Sequence, residues 1–174
     1  MVYVIIGVAM LFIIVPIIAV LPNPRQKAQM RMRAAARARG VAVELTQIDD
    51  PVPVQEKYIS PTGQAMPPIL KTAAYRFPRK RPADRRSLTT VEWKGISGRN
   101  GWEWDWSNER VTSDFKVWLL GAVEKLPDDV ELVMEESWII TVHWHEREEG
   151  TEEDVFEFLK ECASKDAHQA AIDN

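Results

Sequence analysis

His143 and His145 stand two residues apart in "SWIITVHWHE". On a strand that spacing sends both side chains out of one face, so the two imidazoles could share a metal ion. Glu131, Glu135 or Glu146 could complete the coordination shell. No third His and no Cys lies at ligand spacing, and the plainer expectation is an exposed polar sheet face with no metal and no cofactor. Trp102, Trp104 and Trp106 alternate with Glu103 and Asp105. Such a ladder could serve as a platform for a cation, a base or a proline-rich peptide. Strict alternation with acids favours a core face instead and leaves the two carboxylates in solvent. Cys162, the single cysteine, sits on an apolar stripe with no neighbouring His, where a thiol acts as a small hydrophobe rather than a nucleophile. The chain has no Gly-x-Ser-x-Gly, Cys-x-x-Cys or His-Glu-x-x-His pattern. The glycines of "GISGRNG" are not followed by Gly-Lys-Ser/Thr, so they read as a hairpin loop rather than a phosphate cradle.

The elements that would position these groups form an α+β pattern. Strands are expected at 41–48, 72–77, 88–94 and 101–106, a helix at 112–126, a hairpin from 129–136 and 137–146, and a last helix from Thr151. Ala73, Tyr75 and Phe77 share a strand face, as do Val130, Leu132 and Met134, and Trp138, Ile140, Val142 and Trp144. Phe115, Leu119, Ala122 and Leu126 form one helical stripe; Val155, Phe158, Leu159 and Cys162 form another, with Asp154 placed for a capping box behind Thr151. This order predicts an antiparallel sheet with helices packed on one face. Residues 49–68, rich in proline, read as a linker or a draped loop. "PRKRPADRR" reads as a solvated basic loop, and the last eight residues as a frayed tail.

Charge is divided sharply along the 174 residues, whose formal net charge is −4. Arg25, Lys27, Arg31, Arg33, Arg37 and Arg39 occur between residues 22 and 39 with no acid among them. From Glu124 onward sixteen acids face four bases, a local charge of −12. Ahead of the cations, "VYVIIGVAMLFIIVPIIAVL" (2–21) carries no charge at all. Twenty helical residues rise about 30 Å, the thickness of a bilayer's hydrocarbon core. A signal peptide would usually show a cationic leader and a small-x-small cleavage site, and a core helix would show a polar face. The segment therefore predicts a single transmembrane helix, kinked at Pro16. Cations are retained on the cytoplasmic side, which puts the amino terminus outside and everything after residue 22 in the cytoplasm of a bacterial inner-membrane protein.

Asn23-Pro24 and Gly40 frame a juxtamembrane helix over 24–39. Its six cations scatter around the helical wheel. That predicts contact with anionic headgroups, about 1 kcal/mol for each, rather than a seam for a partner helix. No aromatics are interleaved to stack bases, so nucleic acid is not an expected partner. An apolar opening, then "NPRQKAQMRMRAAARARG", then the strand-like "VAVEL" resembles the start of the small accessory subunit of the bacterial preprotein translocase. Pro24, Gln26, Lys27 and Gly40 carry the likeness. It implies a single anchor, a basic helix and an accessory role beside the translocation channel.

The expected organisation is an anchor at 1–22, a basic helix at 23–40, a first strand with linker and basic loop at 41–87, a head at 88–166 and a tail at 167–174. The expected function is a membrane-anchored cytosolic accessory module, touching lipid and a membrane-protein or cytosolic protein partner, with no evident catalysis. The alternatives are a translocase accessory subunit, and a metal-binding or enzymatic head using His143 and His145.

Overall fold

The computed structural model describes residues 23–80, 92–106 and 111–167, together with Tyr3, Ile6, Met10 and Phe12. Apart from those four, which are helical and exposed, the expected anchor and its Pro16 kink lie outside the described residues. So do residues 81–91, 107–110 and 168–174. Among the described residues, no helix is long and apolar enough to cross a membrane.

The first described helix, α1 (Pro24–Ala38), is set by its own ends. Asn23 caps it in a reciprocal box in which the Asn23 amide donates to Gln26 Oε1 at 3.0 Å, and Pro24 occupies the first turn, where its missing N–H costs nothing. At the other end Gly40 takes φ +80. The Val41 amide then reaches Ala36 O at 3.0 Å and the Gly40 amide reaches Arg37 O at 3.1 Å, a Schellman closure. A Cβ at Gly40 would meet no atom, so the backbone conformation alone asks for glycine here.

The turn sends the chain back along α1 as β1 (Ala42–Asp49), which opens one six-stranded antiparallel sheet. The others are β2 (Ile69–Pro78), β3 (Trp93–Gly98), β4 (Gly101–Asp105), β5 (Val130–Glu136) and β6 (Ile139–Trp144), in the order β1-β2-β6-β5-β3-β4. Two more helices, α2 (Ser113–Val123) and α3 (Glu152–Ser164), complete an α+β fold. Buried residues from all three helices, among them Met32, Phe115 and Leu159, share a core with Tyr75, Trp93, Val142 and Trp144. The core lies on one sheet face, as strand-helix order predicts.

Several expectations are corrected. Residues 50–68 are neither linker nor drape; they form the tip of the β1–β2 hairpin, with a short 3₁₀ turn at Gln55–Tyr58. The strand expected at 88–94 is described from Trp93 and runs to Gly98, so "GISG" is strand and the turn shrinks to Arg99-Asn100. Gly95 is required there, because a Cβ would sit 2.6 Å from the Trp104 ring. In β5 a bulge between Val130 and Leu132 shifts the alternation. Val133 and Glu135 therefore join Val130 in facing the core, in place of Leu132 and Met134. Thr151 precedes α3 without a side-chain cap bond, so the expected capping box is absent there. Ala167, placed in the frayed tail, is fully buried and accepts the Thr112 amide at 3.1 Å.

Candidate functional site

Where α1 meets the sheet, an acid is held below it. Glu146 follows β6 at φ +53, a left-handed step that ends the strand and costs a non-glycine residue about 1–2 kcal/mol. What offsets that cost is its carboxylate, which is buried and fully bonded. It accepts Tyr75 Oη at 2.7 Å and Arg33 Nε at 2.9 and 3.0 Å, while Arg33 Nη2 closes the fork. Gln29 Nε2 donates to the Glu146 carbonyl at 3.4 Å. Bonding to Glu146 holds the Arg33 guanidinium above its ordinary range, against the effect of burial. Burial first, then the bond to Glu146, raises the Tyr75 phenol, so it stays a donor. Ala28, Met32 and Ala36, at four-residue spacing, bury the same helix face against the sheet. Around this centre Arg31 pairs with Glu149, and Arg39 pairs with Glu153 while lying 4.6 Å over the Phe156 ring.

The cationic helix is thus part of the head. Of the six cations on the helix and its C-cap, Arg31, Arg33 and Arg39 pair with acids of the carboxy-terminal half. Arg25, Lys27 and Arg37 are exposed and have no ion pair among the described residues. A cleft of about 410 Å³ runs beside the junction, lined by Gln29, Arg33, Leu45, Gln47, Lys71 and His145 among others.

A second acid–base network lies at the other end of β5. Glu135 accepts Arg79 Nε at 2.6 Å, Arg79 Nη2 at 2.9 Å and Trp93 Nε1 at 2.8 Å. Arg79 also donates to the Lys165 carbonyl, approaches Cys162 Sγ at 3.6 Å and lies 5.4 Å from the Phe115 ring centre. Burial would lower this guanidinium, but the Glu135 pairing outweighs it and raises the group. Arg79 therefore belongs to the core and not to a solvated loop. Cys162 is fully buried, and burial pushes its thiol far up, which removes it as a nucleophile.

The histidines are placed differently from expectation. His143 is not exposed; only 6% of it reaches solvent, and Thr72 Oγ1 lies 3.2 Å from its Nδ1. Burial, then the charges of Arg76 and Lys94, lower it to about 4, so the ring is neutral. His145 lies past the end of β6, between Lys71 O at 3.1 Å and Glu131 Oε1 at 3.0 Å. Glu135 and Glu146, the other candidate ligands, are committed to arginines. Among the described residues, no group of three or more His, Cys, Asp or Glu could hold a metal ion. Trp102, Trp104 and Trp106 stack in a half-buried row, with Glu103 and Asp105 exposed on the other side. This is a core margin on the edge strand.

Sequence reasoning missed both networks. Charge complementarity between the basic helix and the acidic half was the signal available for the first; the second had none short of locating the bulge that turns Glu135 inward. No family model matches the chain, and neither a characterised protein nor a solved structure matches it.

Proposed function

We propose that the chain is a single-pass membrane module whose α+β head is held at fixed height and orientation on the cytoplasmic face and braces a protein partner there, without catalysis of its own. The observation that carries this is the clamping of α1. The helix that leaves the apolar segment is not a leash, since Ala28, Met32, Ala36 and the Arg33–Glu146–Tyr75 network tie it to the sheet. A head with no slack behind residue 23 suits a scaffold that presents one surface to a membrane-bound complex. The two most deeply buried acids among the described residues, Glu135 and Glu146, are occupied by arginine and the thiol is buried, which supports a binding role over a chemical one.

A role as translocase accessory subunit is the narrower version. Three of the four residues that carry that likeness, Pro24, Gln26 and Gly40, also serve as helix caps, so the likeness alone does not separate the two. Alkaline carbonate extraction of native membranes, with protease accessibility from each side, tests the proposal. Retention in the pellet with the head open only from the cytoplasmic side is expected; release, or a head on the outer side, would refute it. Photo-crosslinking from the head then identifies the partner, and recovery of channel subunits would select the narrower version.

A further inference from the structure

The β1–β2 hairpin extends beyond the rest of the sheet. β6 pairs with β2 only over Ala73–Pro78, so from Thr46↔Thr72 to Asp49↔Ile69 the two strands pair only with each other, with His143 and His145 side chains reaching Thr72 and Lys71 at the base. These four pairs make an arm about 13 Å long. Its direction follows from Gly40, which reverses the chain, so that β1 runs back toward the start of α1. The shared cleft fixes the level, because Gln29 and Arg33 of α1 line it together with Leu45 and Gln47 of β1. By rise per residue along the two elements, Asp49 and the tip beyond it reach about the level of Asn23 and Pro24, where the apolar segment ends.

The tip is ordered and apolar. The Asp50 amide donates to Pro68 O, and the Met66 amide to Tyr58 O, each at 2.7 Å. Tyr58 Oη bonds the Asp50 carboxylate, burying the charge at the base of the tip. Between Pro51 and Pro68 the charged residues are Glu56 and Lys57, which cancel. Val54, Ile59 and Met66 are 40%, 49% and 46% exposed, and an apolar hollow of about 590 Å³ opens between Pro53, Tyr58, Ile59, Met66 and Pro68. Exposed apolar groups carrying no net charge at this height suit the boundary between headgroups and acyl chains.

We propose that the 50–68 tip is a second membrane contact, seated in the lipid headgroup layer beside the anchor, so that the head is pinned at two points. The proposal rests on the reading that residues 2–21 span the bilayer. Arg25 and Lys27, exposed at the same end, would meet phosphates next to it.

The test uses the full chain, reconstituted in vesicles of zwitterionic and anionic phospholipid. Ile59→Cys and Met66→Cys carry a polarity-sensitive fluorophore. Val117→Cys, on α2 and 72% exposed, is the reference, and buried Cys162 of the parent chain controls for background labelling. Expected at 59 and 66 are a blue-shifted emission, loss of iodide quenching and quenching by lipid-borne spin labels, with none of these at 117. Water-like emission at 59 and 66 in protein that resists carbonate extraction would overturn the tip contact and leave the anchor standing. Release by carbonate would remove the anchor and the tip contact together. A shift that occurs in native membranes but not in pure lipid would assign the tip to a protein partner and overturn the lipid contact.

Discussion

Arg79–Glu135 and Arg33–Glu146 are built from the same residue types, and both are forked, yet they sit in different surroundings. The first is sealed on both sides, with side chains 4% and 0% exposed, inside the layer between sheet, α2 and α3. In the second, Glu146 is 1% exposed but Arg33 is 21% exposed, along the open flank of α1. An arginine that keeps contact with water can leave its partner and be rehydrated at modest cost, whereas one that is sealed in has nowhere to go. The difference separates a pair that holds the fold from a pair that holds one element onto the fold. It also places the more releasable contact on the helix that follows the uncharged amino-terminal run.

Arg79→Met tests the contrast most directly, because it leaves Glu135 buried with Trp93 as its remaining donor. Denaturant unfolding should show a loss of about 3–5 kcal/mol, much of it recovered in the double variant Arg79→Met/Glu135→Leu. A cost no larger than that of Arg33→Met would erase the distinction. Acid sharpens the contrast without touching either arginine. His143 is neutral in the folded protein and titrates at about 4, but near 6.5 when unfolded. Its contribution is therefore complete above pH 6.5 and is lost as pH falls through 4, by about 3 kcal/mol. Urea midpoints across that window should fall in the parent chain and flatten in His143→Gln.

Arg33→Met should cost about 2 kcal/mol, less than the sealed pair. Its signature is local, with faster hydrogen exchange over 24–38 while β5 and β6 stay protected. Global loss of protection would make the junction a second fold lock and end the comparison. The smallest effect belongs to Glu149→Gln, which frees Arg31 at the surface and should change stability by about 0.5 kcal/mol or less, vanishing in high salt.

The fold was more legible than the site. Periodicity located α2 through Phe115 and Leu119, and β6 through Ile140, Val142 and Trp144, because alternation and helical stripes are properties of neighbouring residues. The same reasoning failed in β5, where one inserted residue carried Glu135 from the solvent face to the core. The six cations between Arg25 and Arg39 were read against a lipid surface, since no acid lies among them in sequence. Their acids lie far along the chain; Arg33 and Glu146 are 113 residues apart, and Arg79 and Glu135 are 56 apart.

By itself the sequence determined what short-range stereochemistry controls. Asn23, Pro24, Gln26 and Gly40 start and stop α1, and the twenty residues 2–21 before them carry no charge. Tertiary structure alone decided that the basic helix lies on its own acidic head, that a bulge turns Glu135 inward, and that the proline-rich 50–68 closes a hairpin. The physical reason is range. Caps and periods act over three to five residues, whereas a buried ion pair has no energy to register until folding removes the water between its partners.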